Sequence, residues 1–448
     1  MSYSKKLIKN AKVVNENKIL NCDLLIHGNR IVKITKEILP TPEMEVFDVK
    51  GKYVIPGLID DQVHFREPGL THKATIKSES KAALVGGITS YLEMPNTHPQ
   101  TITKIEWEAK NKRAAETSYA NYAFMFGGTN DNLDEILALD IKRVPALKLF
   151  LGSSTGNMLV DNPNVLKSIF RNVKLVIAVH CEDEYTIRKN FKVAKEKYGD
   201  EIPIFEHPAI RSEEACYLSS SKAVALAKET GARLHVFHIS TAKELELFRN
   251  DIPLKEKRIT AEVCIHHLWF SDDDYISKGT RIKWNPAIKT KEDRIALWEG
   301  LNTDLIDILA TDHAPHTVEE KNQPYNNAPS GGPLVQHALP ALLTAFNEGK
   351  ITLEKIVQKA CHNPAILFNI KDRGYLKEGY YADLVVLDIN KEFEVLKDDL
   401  LYQCEWSPFQ GIKFKGAVEC TLLNGQWVYS EGNVHPKSAA MELTFDRI

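Results

Sequence analysis

Eight short apolar runs, near residues 58–65, 88–94, 119–126, 145–151, 174–180, 233–239, 258–263 and 306–311, punctuate the middle of this chain. Amphipathic or alanine-rich stretches of helical character, such as 78–85 and 212–228, lie between them. Strand-length runs that alternate with helix-length ones call for parallel strands joined by helical crossovers. Eight such units predict an α/β chain closed into a (β/α)8, TIM-like barrel, with its chemistry at the C-terminal ends of the strands. A doubly wound open sheet is the rival, and the lack of a glycine-rich loop after the first strand speaks against it. Both chain ends have a different texture. Apolar stretches at 7–14, 23–27 and 31–34 surround the turn Gly28-Asn29-Arg30, a hairpin signal, and strands are expected again at 382–388 and 420–429. The ends are expected to pack together as a small β-sandwich domain of residues 1–55 plus 375–448, leaving 56–374 to the barrel.

Composition narrows the function classes. A chain of 448 residues accommodates a barrel and a satellite domain. A net charge of -3 offers no electrostatic footprint for nucleic acid or an anionic membrane. No apolar run reaches transmembrane length, and Met1-Ser2-Tyr3-Ser4-Lys5-Lys6 opens without a signal-peptide core. The 7 cysteines include no CxxC pair, which predicts reduced core thiols rather than disulfides or a thiolate zinc knuckle. These features predict a cytoplasmic protein.

The strand ends carry the reactive groups. Ile306-Asp307-Ile308-Leu309-Ala310 runs into Thr311-Asp312-His313-Ala314-Pro315-His316, a buried strand opening into polar sequence. In the first strand, period-two alternation places Asp60, Gln62, His64 and Arg66 on one face and Val63 and Phe65 on the other. Lys148 lies inside Ala146-Leu147-Lys148-Leu149-Phe150, where a bare ammonium is expensive. Desolvation favours its free amine, which carbon dioxide converts to a carbamate able to bridge two metal ions. His180 follows five apolar residues, and His238 ends another strand. A lone histidine at a strand end is more often structural, and the bland alternatives are a solvated strand end for His64 and a snorkelling side chain for Lys148. Five such ends together suit zinc with an open coordination position, and hence amide hydrolysis. His207, His266 and His267 are read as structural, and the lysine-rich stretch 189–197 as a solvated helix face.

Several segments, in order, resemble the dihydroorotases of the cyclic amidohydrolase branch of the amidohydrolase superfamily. They are Pro56-Gly57-Leu58-Ile59-Asp60, His64-Phe65-Arg66-Glu67-Pro68-Gly69, Met94-Pro95-Asn96-Thr97, Val179-His180-Cys181-Glu182-Asp183, His238-Ile239-Ser240-Thr241, Asn285-Pro286 and Ala310-Thr311-Asp312-His313-Ala314-Pro315-His316. The resemblance covers nearly the whole chain. It implies zinc held by His64, Lys148, His180, His238 and Asp312, with Lys148 present as N6-carboxylysine. It also implies that Arg66, Asn96 and His316, with His64 beside them, receive a substrate carboxylate, while Asn285, Ser330 and Gly331 meet a pyrimidine ring. A guanidinium fork suits a carboxylate on physical grounds as well. Asp312 is the implied proton carrier, taking a proton from the attacking water and passing it to the leaving ring nitrogen. In reverse, the reaction closes N-carbamoyl-L-aspartate into dihydroorotate for pyrimidine (UMP) biosynthesis. Homodimerisation is a further implication.

The chain departs from the family pattern at Gln62, where the family has histidine, and in the loop 328–333. An amide oxygen is a poor zinc ligand beside imidazole. A firm site at Lys148, His180 and His238 and a weaker or missing second ion are therefore expected. Two alternatives stand beside this reading. Allantoinases and hydantoinases share the barrel but tend not to have arginine at the position of Arg66, and an inactive homologue could scaffold another enzyme.

Overall fold

The computed structural model describes residues 5–152, 158–436 and 439–447. Its centre is a closed parallel barrel. The strands are Leu58–Val63, Ile88–Glu93, Asn121–Phe124 continued by Phe126–Gly127, Ala146–Phe150, Val176–His180, Leu234–Val236, Ile259–Cys264 and Ile308–Ala310. Each pairs in parallel with the next. The ring closes where Val63 bridges His313 in parallel and the His64 amide donates to the His313 carbonyl at 2.7 Å. Each strand lies close to its expected run, because strands buried on both faces read as continuous apolar sequence.

The crossover helices are set by their caps. Thr75 starts the helix Ile76–Val85 through a reciprocal capping box with Ser78. Ser212 accepts from the Ala215 amide at the start of Glu213–Thr230, and Gly231, at φ 72°, ends that helix in the left-handed region. The lysines of Glu184–Tyr198 lie on its solvent side, as expected.

Both chain ends contribute to one nine-stranded sheet, in which Tyr53–Pro56 joins the N-terminal strands to Leu384–Glu394. Gly28 and Asn29 connect Lys18–His27 to Arg30–Thr35, as the turn signal predicts. The run expected as a single strand at 420–429 is instead a hairpin. Leu422 pairs with Trp427, and Asn424 (φ 48°) and Gly425 (φ 76°) form the turn. An Asn-Gly pair with both φ positive matches the right-handed twist of its flanking strands, so it reverses the chain where apolar content alone suggests continuation.

The last described residues leave this sheet and cross beneath the barrel. Leu443 and Phe445 are buried with Ile59, Leu92, Ala146 and Val176, and Arg447 donates to the carbonyls of Ile141, Val144, Pro145 and Phe368. That closes the N-terminal mouth and leaves the other open. Among the described residues no helix is long and apolar enough to cross a membrane.

Candidate active site

At the C-terminal mouth, a cavity of about 400 Å3 gathers Gln62 and the residues expected to hold metal or substrate: His64, Arg66, Asn96, Lys148, His180, His238, Asn285, Asp312, His316, Ser330 and Gly331. A somewhat larger cavity, about 470 Å3, opens among Arg233, Lys255, Lys371 and Tyr375, but no histidine lines it. The site is therefore placed by its donors rather than by volume.

Two pairs of metal-type donors face each other in the mouth. His180 Nδ1 lies 3.0 Å from His238 Nε2, and His64 Nε2 lies 3.2 Å from Asp312 Oδ1. Ligands that share a tetrahedral zinc ion stand about 3.3 Å apart, so both separations fit donors to a common cation. The tautomers agree. His180 Nε2 reaches Glu182 Oε2 at 3.0 Å and His64 Nδ1 reaches Asn96 Oδ1 at 2.8 Å, which frees the opposite nitrogens for a metal. Burial works against the Glu182 charge, but Arg211 and His180 override it and hold the carboxyl at about 2. Burial lowers His64 and drives His238 well below the usual histidine range, so both present neutral imidazole. Lys148 Nζ is buried without a hydrogen-bond partner, 4.1 Å from the centre of the Phe237 ring, and desolvation pulls it down to about 7. An amine so placed is largely free near neutrality and suits carbamate formation.

Beside these donors stand Arg66, Asn96 and His316. Arg66 Nη2 lies 3.0 Å from His316 Nε2, and Arg66 Nε donates to the Pro315 carbonyl at 3.0 Å. Burial lowers Arg66 only to about 10, so it stays a cation. With its oxygen engaged by His64, the Asn96 amide has its N–H groups left to donate. Across the cavity Ser330 Oγ donates to Asn285 Oδ1 at 2.9 Å, which brings together two residues 45 positions apart. Arg66 (φ 65°), His238 (φ 38°) and Asp312 (φ 47°) all adopt left-handed backbone, which costs each on the order of 1–3 kcal/mol. The barrel holds these three groups where their local preference would not.

Strict alternation in the first strand fails at one point. Gln62, His64 and Arg66 face the cavity and Val63 and Phe65 the surrounding core, but Asp60 does not join the first set. It turns to the last strand, accepting from Thr311 Oγ1 at 2.6 Å and from the Thr311 amide at 3.2 Å. The register against Ile88–Glu93 shifts between Asp60 and Val63, a bulge that gives the inward direction to Asp61. Asp61, His235 and Glu262 form a group of potential metal ligands whose donor atoms lie within 4.8 Å of one another, all three fully buried inside the barrel. Sequence reasoning missed this group because alternation pointed Asp61 outward. A bulge leaves no mark in residue type. Lys73, whose Nζ is 3.1 Å from His316 Nδ1, also lines the cavity and carried no distinguishing signal.

The histidines read as structural stay outside the cavity lining. His207 is held by Tyr325 and the Trp284 carbonyl, His266 stacks on Trp284, and His267 reaches the Pro286 carbonyl. His313 turns away from the mouth, its Nε2 2.8 Å from Glu79 Oε2.

Residues 53–428 match the Amidohydrolase family. A dihydroorotase of Staphylococcus epidermidis is 35% identical over 95% of this chain and 99% of its own. One from Methanosphaera stadtmanae is 31% identical over 96% and 98%. Among solved structures, the L-hydantoinase (dihydropyrimidinase) of Arthrobacter aurescens superposes with a TM-score of 0.93 at 29% identity, covering 98% of this chain and 99% of its own.

Proposed function

The chain belongs to the amidohydrolase family as a hydrolase acting on cyclic amides, and we propose that its substrate is dihydroorotate, interconverted with N-carbamoyl-L-aspartate. The observation that carries this choice is the buried Arg66 guanidinium at 3.0 Å from His316, with Asn96 across the same cavity. A fork-shaped cation at the cavity wall is costly to bury unless it meets an anion, and dihydroorotate brings a carboxylate that hydantoin lacks. The named function of the Staphylococcus and Methanosphaera relatives agrees with this reading.

In this reading His64, His180, His238, Asp312 and carboxylated Lys148 hold zinc. When bound, the metal polarises the ring carbonyl and acidifies the attacking water. Arg66, Asn96 and His316 fix the substrate carboxylate, and Asn285 with the Ser330-Gly331 loop positions the ring. Asp312 takes the proton of the attacking water as the ring C–N bond breaks and delivers it to the departing nitrogen. In the opposite direction, the same carboxylate helps expel water as the ring closes. Residues 1–55 with 375–448 act as a composite β domain bracing the barrel, and the enzyme works in the cytoplasm, as a homodimer.

A hydantoinase-like activity is the second reading, favoured by the likeness to the Arthrobacter enzyme. Zinc-loaded protein incubated with L-dihydroorotate, hydantoin and allantoin, with metal content determined on the same sample, separates the two. Turnover confined to dihydroorotate is expected. Turnover of hydantoin alone overturns the proposal, and protein that neither binds metal nor turns over substrate points to a scaffold.

A further inference from the structure

We infer that Asp61, His235 and Glu262 form a second cation site, inside the barrel and distinct from the donors at its mouth, that takes a divalent ion of the zinc type. The three side chains come from the first, sixth and seventh barrel strands and are fully buried. Their inward atoms, both Asp61 oxygens, His235 Nε2 and Glu262 Oε2, make no well-aligned hydrogen bond and meet one another only in long ion-pair contacts. Unpaired buried polar atoms are costly, and four of them converging on one point call for an occupant.

The distances indicate what that occupant is. His235 Nε2 lies 3.3 Å from Asp61 Oδ2 and 3.7 Å from Glu262 Oε2. Charge-assisted N–H···O bonds close to about 2.7–2.9 Å, whereas donors around one zinc ion stand about 3.3 Å apart. The spacing is that of ligands sharing an ion.

The surroundings prepare each ligand. Thr260 Oγ1 donates to the Leu234 carbonyl at 3.2 Å and accepts from His235 Nδ1 at 2.8 Å, so Nε2 is the ring nitrogen that faces the two carboxylates. Glu262 Oε1 is held by the His238 amide at 3.1 Å and by Cys264 Sγ at 3.4 Å, which turns Oε2 inward. Two carboxylates and an imidazole make a mixed N/O donor set, which suits zinc. Gln62, next in sequence to Asp61, has its amide oxygen against Cys264 Sγ at 3.7 Å. The bulge thus supplies a carboxylate one layer deeper beside the position where the family's usual imidazole is missing.

This inference does not depend on which cyclic amide is the substrate. Its direct test is an anomalous-difference map from crystals of the full chain loaded with Zn2+. A peak at about 2.0–2.2 Å from His235 Nε2 is expected. Peaks confined to the group of His64, His180, His238 and Asp312, or no peak at all, overturn it. In solution, the double variant His180→Ala/His238→Ala should keep tightly bound Zn2+ or Co2+. Adding Asp61→Asn should weaken that retention by at least about tenfold. A metal-free double variant, or retention indifferent to Asp61→Asn, counts against the site. An interior peak in protein that fails to hydrolyse dihydroorotate would sink the proposed substrate and leave the inner site standing.

Discussion

Arg66 is buried and keeps its charge. Arg66→Met should lower kcat/KM for dihydroorotate by roughly 100- to 1000-fold, the loss of a buried charge-assisted pair, with zinc content unchanged. Zinc that vanishes with the arginine would assign it to the metal site instead. Lys148→Ala should lose metal and regain part of it when a short carboxylic acid is supplied with zinc; unaltered zinc stoichiometry would rule out the bridging carbamate. Burial lowers Lys148 to about 7, so the amine is free above that pH and protonated below it. Zinc uptake by apoprotein in bicarbonate should therefore climb as pH rises through about 7 and fail on the acid side. The same shift costs the apoprotein stability in full below about pH 7, and this cost fades as pH rises toward the ordinary lysine value, because over that range the unfolded chain holds a proton that the folded one has released. Gln62→His should raise metal occupancy at the mouth, read as zinc per chain, and unchanged occupancy would show that another group already fills the position. At this scale the sequence was highly legible. Lys148 and His180 stand out because each interrupts an unbroken apolar run. Lys73 does not, since nothing in its neighbourhood distinguishes a cavity wall from a surface.

At the scale of elements, strands and caps were readable and local irregularities were not. The run 306–311 announces its strand through β-branched residues, and Ser212 announces its helix. The bulge between Asp60 and Val63 follows from how the first strand must meet its neighbour, a tertiary condition invisible in a one-dimensional pattern. The loop that brings Ser330 and Gly331 to the cavity raises a similar issue. Gly331 sits at φ +124°, and a Cβ there would come within 2.5 Å of the Ala314 carbonyl oxygen. Gly331→Ala should displace the loop at a local cost of about 1–3 kcal/mol and raise KM while leaving zinc content alone. An unaltered KM would remove this loop from substrate binding.

At the scale of the molecule, the alternation of eight strands with helices was enough to anticipate the barrel, but not how its base is sealed. Arg447 reaches four carbonyls, three within 141–145 and the fourth at Phe368, contacts that no local pattern encodes. Arg447→Ala should destabilise the fold by about 2–4 kcal/mol, seen as a lower denaturant midpoint with the mouth chemistry intact. An unchanged midpoint would make the seal dispensable.

The composite sheet has a consequence for synthesis. Tyr53–Pro56 pairs with Leu384–Glu394, so an early strand waits for a partner that emerges roughly 330 residues later, on the order of 15–65 s at the usual pace of translation. During that interval Val54 and Ile55, both buried in the finished sheet, have no partner strand on that side. The ribosome-bound intermediate therefore carries an open, apolar sheet edge for most of its synthesis, and this, rather than the barrel, is where a nascent-chain chaperone has the most to protect.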